Sequence, residues 1–337
     1  MKNRICKKII KIAVIGTGRI AFLLEKDKLR YKPCTHIGAL LTLINKSNAI
    51  SFDYLCDIKQ DRLKQIKAFL QKKKIDVSKT IFTHDYKTIQ YNLLDLLVIA
   101  SDTHTHFDIL KLGLIHNVPK IVIEKPILMN ISEVQKIKKL IKSSSSKIWI
   151  NYERRFHSTY NDIHKIINEK SLGKPLYYNG YFITKYGAFH SKKENEGLLL
   201  HDTTHLLDII QYFFGTIKTR RQIISGDNIH NLYLLHKNKI NGIILTIKNT
   251  DYFHFEIQII FEKGRISAGN GFYYIELSAK SNYYANFNSL NINKKNLIQK
   301  ITINENPFVK LYLNVLNGND NANDVNDALT NVEILSS

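Results

Sequence analysis

The run IIKIAVIG, residues 9 to 16, ends on a glycine and passes directly into Gly16-Thr17-Gly18-Arg19-Ile20-Ala21. A β-rich run followed at once by G-x-G-x-x-(G/A) describes a strand that turns sharply into a helix. Gly16 permits the tight turn, Gly18 lets backbone approach a pyrophosphate, and the small Ala21 lets the helix pack on the strand. The helix start then offers unpaired N–H groups and a positive dipole end to phosphate, so Gly16, Gly18, Arg19 and Ile20 are expected to line a dinucleotide. The hexapeptide means this only if further strands and helices alternate behind it.

They do. ISFDYLCDI (50–58), LLDLLVIAS (93–101), KIVIEKP (120–126) and KIWINY (147–152) read as strands. Between them lie helical patterns such as DRLKQIKAFLQKK and SEVQKIKKLIKSS, the second with Ser132 as its expected N-cap and Glu133 in its first turn. Apolar strands without alternation, separated by helices, belong to a parallel sheet covered on both faces, a doubly wound α/β domain. Beyond Phe156 the rhythm changes. TIKTRRQIISG, IHNLYLLHK, KINGIILTIKN and HFEIQIIFEKG follow one another with turns rather than helices between them, which predicts an α+β domain with an open, mainly antiparallel sheet. The tail, VKLYLNVLNGNDNANDVNDALTNVEILSS, reads as two helices around a polar turn. The expected division is residues 1–151 for the first domain and 152–337 for the second.

With 337 residues, 44% of them hydrophobic and 23% charged, the chain suits two globular cores. It has no apolar run of membrane-spanning length, and MKNRICKKIIKIAVIG carries lysines into a strand rather than a signal peptide's apolar stretch, so a cytoplasmic protein without membrane association is expected. Cys6, Cys34 and Cys56 lack C-x-x-C spacing, which argues against a disulfide framework or zinc knuckle. The formal charge of +20 comes from lysines spread along the chain, without interleaved aromatics, so no nucleic-acid partner is expected and the field serves at most to attract anionic ligands.

A dinucleotide site also wants an acid at the end of the second strand for the ribose hydroxyls. Asp57 fills that place, although it lies 41 residues after Gly16 where about 20 is usual. An inserted loop ahead of the second helix, LLEKDKLRYKPCTHIGA, accounts for the excess. Asp57 favours NAD over NADP, while nearby Lys59 and Arg62 leave NADP open. Glu124-Lys125-Pro126 closes another strand at the carboxyl edge, where ligands bind in open parallel sheets, and Pro126 keeps Lys125 extended. Lys125 is then either a reaction-centre cation or a surface cation with Glu124 as partner. In EGLLLHDTTHLLDIIQYFFG (196–215), His201 and His205 stand four apart, a spacing that also fits a metal-hydrolase helix or two packed histidines. No third metal ligand is placed by pattern, and no metal is expected.

G-T-G-R-I-A, VIASDTHTHFDIL, VIEKP, NYERRF and EGLLLHDTTHLLDIIQYFFG occur in the order and approximate spacing of the Gfo/Idh/MocA oxidoreductases, which the chain resembles over most of its length. The resemblance implies a Rossmann domain joined to an α+β domain whose open sheet supports a homo-oligomer, dimer or tetramer. It also implies an NAD(P)-dependent dehydrogenase acting on a carbinol carbon of a sugar, cyclitol or sugar derivative. On that pattern Lys125 polarises the reacting hydroxyl and His205 takes its proton. Ser101, His106 and Glu124 join Gly16, Gly18, Arg19, Ile20, Asp57 and Lys125 around the cofactor. Tyr152 and Arg154 join Lys125 and His205 around a small-molecule carbohydrate. The chain departs from the usual D-x-G-x-H: His201 stands at the acid's place and Asp202 one position later, so both stay candidate catalytic residues of unassigned role. His104 and Arg155 are lesser candidates, and Cys34, Thr35 and His36 in the inserted loop a candidate cap over the site. Two other functions remain open, a dinucleotide-binding regulator without turnover and an NAD-retaining sugar epimerase or glycosidase.

Overall fold

The computed structural model describes residues 9–44, 50–185, 199–225, 228–297, 305–319 and 325–336. The chain forms two compact units, one of residues 1–156 with 302–333 and one of residues 157–301 with 334–337.

The first unit is built on six parallel strands: β1 (Ile10–Ile15), β2 (Ile50–Cys56), β3 (Ile81–Thr83), β4 (Leu96–Ile99), β5 (Lys120–Ile123) and β6 (Lys147–Ile150). Their order is β3-β2-β1-β4-β5-β6. Leu96, Leu97, Val98 and Ile99 of β4 are all fully buried, which is why these strands read as unbroken apolar runs. The order reverses between β1 and β4, and the crevice at such a reversal is where open α/β sheets bind ligands. Helices α1 (His36–Ile44), α2 (Gln60–Lys72), α3 (His106–Ile115) and α4 (Ile131–Ser143) complete the winding. The N-cap of α4 is Asn130, whose side chain accepts from the Glu133 N–H at 3.0 Å, rather than Ser132: the helix begins two residues earlier than its apolar pattern suggests.

The second unit carries α5 (Ser158–Glu169), β7 (Pro175–Thr184), a π-helical turn (Leu199–Thr203), α6 (Thr204–Phe214) and seven more strands: β8 (Ile217–Ser225), β9 (Ile229–His236), β10 (Asn241–Lys248), β11 (His254–Phe261), β12 (Gly264–Gly269), β13 (Phe272–Lys280) and β14 (Asn288–Leu297). The sheet order is β14-β13-β12-β11-β7-β10-β9-β8. Neighbours are antiparallel except β7 and β10, which run parallel because β7 enters before α6 and pairs only after the chain has come back. Helix α6 packs on this sheet through Leu206, which touches the bare backbone of Gly180, and through Phe214, stacked on Tyr178 at 5.2 Å.

The tail forms α7 (Pro307–Asn317) and α8 (Val325–Leu335) as its pattern suggests, but belongs mostly to the other unit. The expected assignment of everything after residue 151 to one domain is therefore corrected. Phe308, Val309, Leu311, Tyr312 and Val315 complete the apolar core that holds Val14, Leu40, Leu96 and Trp149, so the first unit closes only when the chain returns to it. No helix among the described residues is long and apolar enough to cross a membrane.

Candidate active site

The glycine turn sits where β1 ends. Gly16 has φ +86°, and its N–H donates to the Cys56 carbonyl at 2.8 Å. A Cβ on Gly16 would lie 2.5 Å from the backbone of Ala100 and Ser101, so the two strand ends at the reversal touch through this residue. After it the chain makes only a short helical turn, with Phe22 N–H bonded to Gly18 O and Leu24 N–H to Arg19 O, and then leaves the helical path. Helix α1 resumes it: the N–H groups of His36 and Ile37 donate to the carbonyls of Ile20 and Ala21 at 3.2 and 3.0 Å. The insertion therefore interrupts the first helix, whereas the sequence reading places it ahead of a helix. It also accounts for the long interval to Asp57.

Glu25 closes the base of that insertion, accepting from the Cys34 N–H at 2.7 Å and the Thr35 hydroxyl at 2.8 Å. Asn306, ahead of α7, donates to the Pro33 carbonyl at 2.7 Å. Cys34, Thr35 and His36 are buried in the first unit. They anchor the base of the insertion.

Asp57 lies at the end of β2, 3% exposed. Its Oδ2 accepts from the Thr17 N–H at 2.8 Å and the Thr17 hydroxyl at 2.9 Å, and its Oδ1 from the Lys59 N–H at 2.9 Å. The acid thus ties the glycine turn to the second strand. Arg62, from the first turn of α2, places Nη1 3.6 Å from Oδ2 and lies against Gly18, where a Cβ would come 3.4 Å from the same nitrogen. Arg19 is exposed and Ile20 half-buried on the turn.

Ser101 follows β4, half-buried, with its hydroxyl 2.7 Å from that of Thr105. His106 opens α3 and is fully buried, its ring nitrogens 2.9 Å from the Pro126 carbonyl and 3.1 Å from the Ser101 carbonyl. It joins the loops after β4 and β5, while His104 is exposed.

Glu124 is likewise turned inward. Its Oε1 pairs with His36 Nε2 at 2.8 Å and accepts from Asn151 Nδ2 at 2.5 Å, and its Oε2 accepts from the Lys125 N–H at 3.3 Å. Burial alone would push this carboxyl up. The His36 hydrogen bond and charge, the Asn151 amide and Lys125 outweigh that, and the group titrates below its ordinary range. Both carboxylate oxygens of Glu124 are thus engaged inside the protein, beside the place expected for the cofactor. Lys125 itself stands half-buried at the carboxyl edge of the sheet. Beside it, Asn151 is 2% exposed with its Oδ1 lacking a hydrogen-bond partner in the structure, a buried acceptor of the kind native proteins keep for a ligand or water.

Tyr152 is 2% exposed, its hydroxyl 3.4 Å from Asn331 Nδ2 of α8 in the returning tail. Arg154 is half-buried; Arg155 is buried and pairs with Asp327 at 3.0 Å. In the second unit His201 lies in the π-helical turn and His205 in the first turn of α6, both half-buried. Thr203 between them bonds Thr246 of β10 at 2.9 Å. Single π-turns inside helices recur at functional sites. Glu196 and the side chain of Asp202 lie outside the described residues. Among the described residues, no three His, Cys, Asp or Glu side chains gather as a metal site.

A glycine turn at the reversal, an acid bound to that turn and an unpaired buried acceptor at the same sheet edge fit a dinucleotide and define a Rossmann nucleotide-binding unit. Residues 10–152 match the family described as "Oxidoreductase family, NAD-binding Rossmann fold", the Gfo/Idh/MocA model, which covers the strands and turns of the first unit up to Tyr152. A scyllo-inositol 2-dehydrogenase (NAD(+)) of Bacillus subtilis is 24% identical over 61% of this chain and 54% of its own length. A myo-inositol 2-dehydrogenase of Thermotoga maritima is 21% identical over 77% of this chain and 75% of its own. The chain thus spans about half the length of the first of these relatives and three quarters of the second. Among solved structures, myo-inositol 2-dehydrogenase of Lactobacillus plantarum shares the fold with a TM-score of 0.71, 18% identity and coverage of 97% of this chain and 95% of that one.

Proposed function

We propose that the protein is an NAD(P)-dependent dehydrogenase that moves a hydride between nicotinamide and a carbinol carbon of a cyclitol, sugar or sugar derivative. When bound, the nicotinamide supplies the hydride acceptor. Gly16, Gly18 and Asp57 hold the dinucleotide, with the exposed Arg19 beside its phosphates. Lys125, a cation at the carboxyl edge of β5, stabilises alkoxide character on the reacting oxygen, and His205 takes its proton. Arg154 serves the substrate's polar substituents, and His201 and Asp202 support His205 from the π-turn. The observation that carries this reading is the place of Lys125: its backbone is fixed by a fully engaged Glu124, two strands from the glycine turn.

A homo-oligomer built on the second sheet agrees with that sheet's face away from α6, where Tyr233, Ile223 and Ile260 are exposed. NAD is the expected cofactor, with Arg62 leaving room for NADP, and the cytoplasm is the proposed location.

The decisive experiment follows nicotinamide absorbance with myo-inositol, scyllo-inositol and a panel of aldoses, for the natural chain and for Lys125→Met and His205→Asn. Each substitution should lower turnover by about two orders of magnitude or more while NADH still binds. Full activity in both variants rejects the roles. Conversion of a sugar without added cofactor by protein that retains NAD would favour the epimerase or glycosidase reading instead.

A further inference from the structure

The cluster behind Lys125 reaches much further along the chain than a local turn needs. Glu124 follows β5, His36 opens the resumed α1, Asn151 follows β6, and Tyr312 lies on α7 in the returning tail. The Tyr312 hydroxyl is 2.7 Å from His36 Nδ1, and His36 Nε2 is 2.8 Å from Glu124 Oε1. His36 and Tyr312 are both fully buried, and their rings meet edge to face at 5.8 Å. An ionised carboxylate only accepts, so Nε2 carries the hydrogen it gives to Glu124. Nδ1 and the Tyr312 hydroxyl share the ring's second hydrogen bond, which fixes the ring's orientation. The contacts link Tyr312 through His36 to Glu124, whose Oε2 accepts from the backbone N–H of Lys125 at 3.3 Å.

We infer that Tyr312 and His36 are positioning residues for Lys125: a buried Tyr–His–Glu relay, completed by the returning tail, holds the turn that presents the lysine. The inference rests on the proposed role of Lys125. A fully desolvated carboxylate has few ways to satisfy its oxygens, and each partner lost leaves a lone pair free to draw the neighbouring N–H groups out of place. Apolar packing alone would have held α7, because Phe308, Val309, Leu311 and Val315 are already buried around Tyr312. The hydroxyl adds aim to that packing, since it fixes which way the His36 ring faces.

Tyr312→Phe removes that hydroxyl and keeps the ring. With NAD as cofactor and myo-inositol and scyllo-inositol as probes, kcat should fall about tenfold while KM and the Kd for NADH, read by fluorescence, stay within about twofold, the pattern of a misplaced reacting group. In protein without cofactor, reductive methylation followed by peptide mass analysis should show Lys125 reacting at a changed rate, about threefold or more relative to the other lysines, which serve as internal references. His36→Gln, which keeps one amide donor, should act in the same direction and carries the test if Tyr312→Phe fails to fold. Unchanged kcat together with unchanged Lys125 labelling in a folded variant overturns the relay. If the natural chain oxidises neither inositol, the labelling still decides the relay. Activity in Lys125→Met would sink the proposed function instead.

Discussion

Thr17 gives both of its donors to one oxygen of Asp57: the backbone N–H at 2.8 Å and the hydroxyl at 2.9 Å. The residue between the two glycines is thus clamped to the end of the neighbouring strand, and the turn keeps its shape without help from bound phosphate.

Replacing Asp57 by Asn should loosen that turn. Hydrogen bonds to a charged group contribute about 1.5–3 kcal/mol each. An amide retains an acceptor oxygen, so a loss near the lower figure is expected. Titration of NADH fluorescence should therefore show affinity weaker by about tenfold or more. Unchanged affinity would mean that Asp57 shapes neither the turn nor the ribose site.

Most of this machinery is written locally. Five of the six strands of the first unit, the glycine turn and the Lys125 turn are legible because parallel strands buried on both faces must be apolar and because glycine is required where Gly16 meets Ala100, whereas β3, a short edge strand without fully buried residues, leaves no such run. What cannot be read is contact at long separation. Tyr312 and His36 are 276 positions apart, Asp327 and Arg155 are 172, and no local period reports such pairs. Glu124 and His106 look like ligand contacts because they follow the carboxyl ends of β5 and β4, where the resemblance places cofactor residues. Burial, which turns both inward, is set by helices elsewhere in the chain. The insertion after Phe22 misleads for a related reason: a helix that stops and resumes fourteen residues later leaves no periodic trace.

The returning tail should be indispensable to the first unit. Phe308, Val309, Leu311, Tyr312 and Val315 are each at most 3% exposed. Burying such a side chain stabilises by about 1.5–3 kcal/mol. Five of them match the roughly 5–15 kcal/mol total of an ordinary domain. A chain ending at residue 301 should lose the cooperative thermal transition of its first unit and fail to bind NADH, as calorimetry and fluorescence would show. A truncated chain that melts like the natural one contradicts the division described above.

Glu124 should shape the acid limb of stability. Its folded pKa lies below its ordinary value, with His36 and Asn151 outweighing burial. Such a carboxylate stabilises the fold above its unfolded pKa, about 4.3, and the contribution drains away as pH falls through the lower folded value. Glu124→Gln should therefore melt several degrees lower than the natural chain at pH 7, for a loss of about 1.5–3 kcal/mol. The gap should narrow below about pH 4 as the natural carboxylate takes up its proton. A gap that stays constant across that window would show that charge at this position contributes nothing.

The thiols should be silent while the protein is folded. Burial, with Asp57 and Asp85 nearby, pushes the Cys56 thiol up to about 12, and burial also raises that of Cys34. The thiolate is the reactive form, so at pH 8 a disulfide reagent should find at most one of the three cysteines, Cys6, and all three after denaturation. Rapid release of a second equivalent from folded protein would place Cys34 or Cys56 on an accessible surface.

Gly16→Ala tests the closest approach in the first unit. The new methyl would fall 2.5 Å from Ala100 C, Ala100 O and Ser101 N, all backbone, at a residue whose φ is +86°. Neither neighbour has a flexible end to move, so β1 and β4 must part. Overpacking of this kind costs about 1–3 kcal/mol, and the left-handed backbone adds about 1–2 kcal/mol for any residue with a Cβ. The melting temperature should drop by several degrees or more, and NADH binding should fall further than in Asp57→Asn, because the strand ends that form the crevice separate along with the turn. If the alanine variant melted normally and bound NADH normally, the glycine would be incidental and the crevice would have to lie elsewhere on the sheet.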